Sequence, residues 1–370
     1  MNNLLSWLEA AIEYDLRQQG KVEHLMKDII ALVFFASLAN ADEWTTINYF
    51  GIANEKFLRK YLELPYGIPS HDTIERVFAM APPEYLQEFR KRWDQVMSSN
   101  MGNKVKKILG IDGKTQRGNG TATQKANHIV SCVDEAGFCL GEVRVDDKSN
   151  EIRAIPELLR TLNINGQIVT IDAMGCQLDI ASIIRKQKAD YVLALKGNQG
   201  NLHENVKLYF EDPELLSSCA YKVVREKAHG RIEKREYWHA DDIAWLEEKK
   251  KWPGLKSIAT TKNTITKNGV TTTEVRYFIS SLSRDVDEVA RAIRGHWMVE
   301  SYHWHLDVTF REDANKTIEK DAAYNLNIIK KMAINTLKLV DVGIKRVSLK
   351  AKRYLISMNF EKYFEIIMSV

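Results

Sequence analysis

Three acidic residues occupy positions typical of a site that handles divalent metal ions. Asp112 closes the segment VKKILGID and Asp172 closes QIVTID, two short apolar runs that predict buried strands. Glu300 comes much later, within HWMVESYHWHLDV, where apolar residues recur at helical spacing. Sites in open parallel sheets form at the carboxyl ends of strands, and carboxylates are ligands that Mg²⁺ prefers. The pattern predicts a phosphoryl-transfer site with two Mg²⁺ or Mn²⁺ ions.

The position of Glu300 within its helix bears on this chemistry. Ile293, Trp297 and Trp304 follow one another at helical steps and predict a core-facing stripe. Glu300 falls on the same stripe, where a buried carboxylate is costly unless a cation balances it. The helix alone leaves two alternatives open: a bound metal ion, or a buried ion pair with an arginine such as Arg294.

Two polar residues follow Glu300 on the same predicted helix face. His303 and Asp307 lie three and seven residues after it. We expect them to orient a metal-bound water or a neighbouring ligand, because Asp307 is too far along the helix to bind the same ion. Glu300 and His303 also match the ExxH spacing of di-iron bundles. That interpretation needs a second ExxH in a suitable helix, which the sequence lacks.

Basic, amide and aromatic side chains near these acids suit a polyanionic partner such as DNA. They occur in the segments IDGKTQRG, LKGNQGN and HGRIEKREYWHA. The predicted DNA contacts are Lys114, Arg117, Lys196, Asn198, His229, Arg231, Arg235 and Trp238. The alternative for each is structural: a solvated loop charge, a turn residue or a member of a half-buried hairpin strand.

The GKT of IDGKTQRG does not belong to a nucleotide-binding loop. Such a loop needs a glycine five residues before Gly113, and Ile108 stands there. We expect instead that Gly113 turns the chain sharply after a strand that ends at Asp112.

Composition places the chain among ordinary globular proteins. Of its 370 residues 45% are hydrophobic and 28% are charged, and its net charge is +4. These values exclude intrinsic disorder and permit a nucleic-acid partner without requiring one. The longest apolar run is too short to span a bilayer, and the first residues lack the order of a signal peptide. We therefore expect a cytoplasmic protein without a membrane partner. The cysteines show no CxxC spacing and are expected to be reduced and mostly buried.

The pattern of residues changes several times along the chain and predicts an α/β fold with a mixed sheet flanked by helices. Turn-rich stretches such as PYGIPS, and the NG and PG dipeptides, separate the elements. The predicted segments are an N-terminal all-helical domain (1–97), the first part of an α/β core (104–199), a β-rich insertion (200–284), helices that complete the core (285–340) and a basic C-terminal tail (341–370).

Six segments together resemble the DDE transposases of bacterial insertion sequences, in the H-repeat-associated branch. They are IDGKTQRG, KSNEIRAIPELL, IVTIDAMGCQ, DYVLALKGNQ, HGRIEKRE and HWMVESYHWHLDVTFREDAN. The resemblance covers nearly the whole chain, including an N-terminal helical region similar to the domain associated with that branch. It implies a ribonuclease-H-like fold and a triad of Asp112, Asp172 and Glu300.

The resemblance also implies the reaction and its partners. A metal-activated water cleaves a strand at the end of the element, and the freed 3′-hydroxyl attacks target DNA. The implied partners are the terminal inverted repeats and the target DNA, bound by a homodimer on paired ends within the nucleoid. A broader group of relatives carries a Tyr, Arg, Glu, Lys signature around the third acid. Here those positions are Ile293, His296, Glu300 and Asp307, so only the glutamate agrees.

Two other functions stay open at this point. A ribonuclease-H-like nuclease would cut DNA without joining strands. A non-catalytic DNA-binding derivative would need none of the three acids, and the presence of all three weighs against it.

Overall fold

One mixed sheet of nine strands organises the described part of the chain, which comprises Leu8 and residues 15–98, 107–145, 151–228, 230–283 and 285–369 of the computed structural model. The strands are β1 (Ile108–Thr115), β2 (His128–Asp134), β3 (Cys139–Val145), β4 (Ile168–Ile171), β5 (Asp190–Leu195), β6 (Ala220–Ala228), β7 (Arg231–Ala240), β8 (Ser257–Lys267) and β9 (Val270–Ser280).

The strand order across the sheet is β3-β2-β1-β4-β5-β9-β8-β7-β6. β4 pairs in parallel with both β1 and β5, and all other neighbours are antiparallel. The predicted mixed sheet with its β-rich insertion is confirmed, and the chain has a ribonuclease-H-like α/β arrangement. The insertion extends the same sheet, because its last strand, β9, pairs with β5.

Helices pack on both faces of the sheet and beyond its β3 edge. They are α1 (Met26–Leu38), α2 (Trp44–Leu58), α3 (His71–Met80), α4 (Pro83–Ser98), α5 (Glu151–Thr161), α6 (Leu178–Lys186), α7 (Asn201–Glu211), α8 (Pro213–Ser218), α9 (Val286–Gly295), α10 (Trp297–Trp304), α11 (Lys320–Leu339), α12 (Leu349–Met358) and α13 (Phe360–Met368). A π-helical turn, His305–Thr309, extends α10.

The buried apolar side chains of the described residues form three clusters. The largest joins α1 to α4 with α10, α11, α12 and α13. The second fills the space between one face of the sheet and α5, α6 and α7. The third lies on the opposite face beneath α9. The segment predicted as a basic C-terminal tail therefore contains helices whose apolar sides belong to the same core as the N-terminal helices.

Two sequence-based expectations concern membrane spans and disulfides. Within the described ranges, no helix combines the length and the apolar content needed to cross a bilayer. The four cysteines are free thiols, and Cys132, Cys139 and Cys176 are buried, as predicted.

The strand that carries Asp112 is longer than predicted. β1 continues to Thr115 and stays paired with β2, so the expected sharp turn at Gly113 is wrong. A Cβ atom on Gly113 would lie 2.4 Å from His128 Nε2 and 2.5 Å from Glu151 Oε1. Glycine is needed at this position because the buried His128–Glu151 pair occupies the space that a Cβ atom would fill.

A fully buried ion pair ties the C-terminal helices to the N-terminal ones. Arg353 of α12 lies 2.5 Å from Asp42, which precedes α2, and neither side chain is exposed. Arg353 also donates to the Thr309 carbonyl and lies 3.8 Å from the centre of the Phe310 ring. Arg311 contacts Asp42 at 3.1 Å. This cluster therefore anchors the stretch of chain that directly follows α10.

Removing the cation from this cluster is expected to destabilise the fold strongly. Arg353→Met should lower the free energy of unfolding by about 3–5 kcal/mol, because the buried Asp42 carboxylate loses its main partner. Urea denaturation followed by circular dichroism measures this loss. As a control, Lys60→Met breaks an exposed 2.7 Å ion pair with Glu361 and should leave the unfolding midpoint unchanged. Equal losses of stability in the two variants would show that the buried Arg353–Asp42 pair matters no more to the fold than an exposed ion pair.

Candidate active site

Asp112 and Asp172 are neighbours on two parallel strands. The pairing of β1 with β4 brings Ile111 level with Ile171, where β4 ends, so the next residue on each strand is an aspartate. Both isoleucines are buried in the core beneath α5 and α6. Because side chains alternate along a strand, the two aspartates lie on the opposite face. The structure thus places the two predicted acids on neighbouring strands, at the carboxyl end of β4.

Glu300 reaches the carboxyl end of β4 as well, because its helix packs closely on β1. A Cβ atom on Gly110 would lie 3.3 Å from Val299 of α10. One on Gly295, at the end of α9, would lie 2.8 Å from Ile108 of β1. The two glycines let α10 lie directly on β1. This close packing brings the Glu300 carboxylate to the end of the strands where the two aspartates lie.

Asp112, Asp172 and Glu300 line one cavity of about 380 Å³, here called the acidic cavity. His296 and Lys196 also line it, and β7, β8 and β9 supply its far wall. Among the described residues, no group of three or more His, Cys, Asp or Glu side chains is arranged so that it could hold a metal ion. An open cavity with carboxylate oxygens fits Mg²⁺, which retains several of its waters when it binds protein.

Asp112 is held in its ionised form by nearby histidines. Burial by itself would raise the pKa of Asp112, but contact with His303 and the nearby His296 ring lower it below its usual value. His303 Nδ1 lies 3.5 Å from Asp112 Oδ2. The carboxylate is therefore negatively charged at neutral pH, which is the state that binds a divalent cation.

Asp172 is oriented by the turn that follows it. Its Oδ1 accepts hydrogen bonds from the backbone N–H groups of Met174 at 3.0 Å and Gly175 at 3.2 Å. The turn is itself tied to the loop after β5, because the Asn198 amide donates to the Ala173 carbonyl at 2.8 Å. Asn198, a predicted DNA contact, thus holds the loop that carries Asp172.

The prediction that Glu300 lies on a core-facing stripe is wrong. Glu300 is exposed and Trp304 is 55% exposed, whereas Val299 and Tyr302 on the other side of α10 are buried. The stripe of α9 does not continue because α10 packs its opposite side against β1, β2 and the N-terminal core. The alternative of a buried ion pair fails for the same reason, and Arg294 stacks on a tryptophan ring.

Lys114 lies among carboxylates that the sequence places far away. Its Nζ is 2.7 Å from Asp307 and 3.0 Å from Glu312. A third carboxylate, of Asp313, is 3.2 Å away. Burial alone would lower the pKa of Lys114, but the carboxylates of Glu312 and Asp307 raise it above its ordinary value. The positive charge of Lys114 is therefore balanced by carboxylates of the protein itself. Its ion pair with Asp307 connects the turn after α10 to β1.

Three of the predicted DNA contacts are exposed basic residues. The Arg117 side chain is 83% exposed, and Lys196 is exposed while also lining the acidic cavity. Arg231 at the start of β7 is exposed and lies 3.4 Å from Glu233. These side chains are accessible to a polyanion.

The other residues predicted from HGRIEKREYWHA have different surroundings. Arg235 is buried between Glu226 at 2.6 Å and Glu233 at 2.8 Å. Trp238 packs against a tyrosine of β6, with ring centres 5.2 Å apart. His229 lies outside the described residues. Arg235 and Trp238 therefore contribute to the structure of the β6–β7 hairpin.

Sequence reasoning assigned no role to Thr170 or His296, yet both line the acidic cavity. Thr170 Oγ1 lies 3.2 Å from His296 Nδ1. Burial lowers the pKa of His296, although the neighbouring acids act to raise it. A signal was available for each: Thr170 precedes Asp172 by two residues in a strand, and His296 precedes Glu300 by one helical turn.

Known proteins are similar to this chain in sequence over most of its length. A family model described as "Transposase DDE domain" matches residues 103–336, which include all three acids, and a "DDE_Tnp_1-associated" model matches residues 11–94. The chain is 40% identical over 360 residues to "Putative transposase YncI" of Escherichia coli O157:H7, covering 93% of this chain and 90% of that protein. It is 38% identical over 361 residues to "H repeat-associated putative transposase YhhI" of Escherichia coli (strain K12), covering 93% and 94%.

The close contact between β1 and α10 should not tolerate a side chain. Gly110→Val should destabilise the protein by about 1–3 kcal/mol, because the added atoms overpack against Val299 and the His296 backbone. Chemical denaturation measures the loss. Gly197→Ala is the matched control, since a Cβ there meets nothing within 4 Å. Its effect should stay within about 0.5 kcal/mol. Indistinguishable stabilities of the two variants would show that α10 does not need this glycine.

Proposed function

The chain belongs to the DDE transposase family, in its H-repeat-associated branch, and we propose that it cleaves DNA at the ends of an insertion sequence and joins the freed ends to target DNA. In this proposal Asp112, Asp172 and Glu300 form the catalytic triad. Terminal inverted repeats and target DNA are the substrates.

One observation carries the proposal: acids from three distant parts of the chain line a single open cavity. Two of them are adjacent on parallel strands, and the third arrives on a helix that two glycines allow to pack closely. Carboxylates that come from three elements to line one cavity are the donor set that Mg²⁺ prefers, and basic side chains of the same cavity, such as Lys196, suit the phosphates of a substrate.

We propose that Asp112, Asp172 and Glu300 hold two Mg²⁺ or Mn²⁺ ions. When bound, such ions activate the attacking oxygen and stabilise the leaving oxygen of the phosphodiester. His303 keeps Asp112 ionised and oriented, and backbone N–H groups fix one oxygen of Asp172. Asp307 acts indirectly in this proposal, because it pairs with Lys114, which lies two residues after Asp112 on the same strand.

The DNA backbone is proposed to run along exposed basic residues near the cavity. Lys196 at the cavity and Arg117 beyond Asp112 are suited to phosphate contacts, and Arg231 lies further along the sheet. The N-terminal helical segment, 1–97, is a candidate for binding the element ends. Since both ends must be processed together, we propose a homodimer as the active form.

Neutralising each acid while keeping its shape is expected to abolish cleavage. Asp112→Asn, Asp172→Asn and Glu300→Gln should leave the fold and DNA binding intact but yield no cut product, because the charge that holds the cations is lost. The assay uses DNA carrying the inverted repeats that flank the gene, with a supercoiled plasmid as target. Joined product distinguishes a transposase from a nuclease that only cuts.

The matched control for this series is Glu274→Gln, because Glu274 also lines the cavity but is paired with Arg276 at 2.8 Å. It should retain cleavage. Near-normal cleavage by any of the three acid variants removes that acid from the triad. Cutting without joining by the unmodified protein would instead favour the nuclease.

Salt dependence tests the proposed phosphate contacts separately from chemistry. Lys196→Ala should reduce the slope of log affinity against log salt concentration by about 1, because one fewer phosphate is neutralised. Fluorescence anisotropy with duplex DNA at several salt concentrations measures the slope. Lys186→Ala removes another exposed lysine, on α6 and on the face of the sheet opposite the acidic cavity, and should leave the slope unchanged. A slope that does not move in Lys196→Ala would make this lysine a solvated loop charge.

A further inference from the structure

One ring nitrogen of His296 is already committed to a hydrogen bond. Its Nδ1 lies 3.2 Å from Thr170 Oγ1, and the Thr170 hydroxyl donates to the Leu109 carbonyl at 3.2 Å. A hydroxyl has a single proton, and a carbonyl oxygen can only accept, so the Thr170 oxygen accepts from the ring. Nδ1 therefore carries the proton of the neutral imidazole, and Nε2 is left with a lone pair.

The lone pair of His296 belongs to a side chain that lines the acidic cavity. The carboxylates that act on this ring are those of Asp112, Glu300 and Asp172. A histidine whose Nδ1–H is held by an outer partner while Nε2 keeps its lone pair has the arrangement typical of a metal ligand. The Thr170 hydroxyl is that outer partner, and its hydrogen bond to the Leu109 carbonyl of β1 fixes its orientation.

Helix geometry also joins His296 to Glu300. The two residues are four apart, and the backbone at His296 keeps helical angles, φ −57° and ψ −35°, across the junction of α9 and α10. Residues four apart lie on one face of a helix. This is the spacing at which two helix residues bind a single ion.

We propose that Nε2 of His296 is a direct ligand of one of the two metal ions, together with Glu300. The inference rests on the proposed function for the presence of the ions, and it adds a nitrogen donor to a site otherwise made of oxygen. Affinity of nitrogen-containing sites is greater for transition metals such as Mn²⁺ and Co²⁺ than for Mg²⁺, which favours oxygen. One ion position is therefore a mixed nitrogen and oxygen site that prefers Mn²⁺ to Mg²⁺.

A purely structural role for His296 makes a different demand. Holding α10 on β4 uses only the contact between Nδ1 and Thr170, and it requires nothing of Nε2. The two roles are separated by asking whether a histidine nitrogen is bonded to the metal.

Electron spin-echo spectroscopy of Mn²⁺ bound to the full chain answers this question, because it detects nitrogen nuclei coordinated to the ion. We expect ¹⁴N modulation that changes to the ¹⁵N pattern when only histidine is ¹⁵N-labelled. His296→Gln should lose the modulation and weaken Mn²⁺ binding by about 10–100-fold, with a smaller effect on Mg²⁺. The controls His203→Gln, which alters another cavity-lining histidine, and His71→Gln, which alters an exposed histidine of α3, should keep the modulation.

The outcomes separate this inference from the proposed function. Mn²⁺ binding that is lost in Asp172→Asn but shows no histidine nitrogen in the unmodified chain overturns the His296 ligand and leaves the triad standing. Modulation that persists in His296→Gln, or disappears in either control, also overturns it. No Mn²⁺ binding, or binding indifferent to Asp172→Asn, overturns the metal site itself. If His296→Gln does not fold, the labelled unmodified chain and the two controls still decide.

Discussion

The in-register parallel pairing of β1 with β4 is the contact on which the rest of the site depends. Because Ile111 is level with Ile171, the two aspartates that follow stand at the same height and on the same face. A slip of one residue would turn one of them into the core beneath α5. The buried isoleucines and the Thr170–Leu109 hydrogen bond hold the register. Burial of the strands' apolar faces thereby fixes the positions of the two aspartates.

The second constraint is the position of α10, which is set from three directions. Gly110 removes the side chain that would hold the helix away from β1, and the Arg353–Asp42 pair anchors the chain beyond it. Lys114 draws Asp307 back to β1. Asp307 lies in a π-helical turn, a feature common at functional sites. The ion pairs and the close approach of α10 to β1 therefore determine where the Glu300 carboxylate lies. Burial of Glu300 itself plays no part, because the residue is exposed.

Elements that are separate along the chain share layers in space. The strands of the insertion continue the sheet through β9 and form a wall of the acidic cavity. The C-terminal helices complete the core of the N-terminal ones. Each arrangement buries an apolar face that the segment cannot cover alone, since a sheet edge needs a pairing partner and an amphipathic helix needs a second apolar surface. For a DDE transposase, this places the β-rich insertion beside the proposed chemistry.

The sequence by itself determined the family, through its resemblance to known transposases. It also determined the α/β class, the strand that carries Asp112, the strand that ends before Asp172 and the helix that bears Glu300, because alternation, helical period and turn residues are local signals. Only the tertiary structure decided which charges are free. Lys114 and Arg235 have the sequence features of DNA contacts, but folding brings Asp307 and Glu312 to one and Glu226 to the other. The exposure of Glu300 was likewise decided by what packs on α10. Burial and ion pairing depend on partners distant in the chain, which periodicity does not encode.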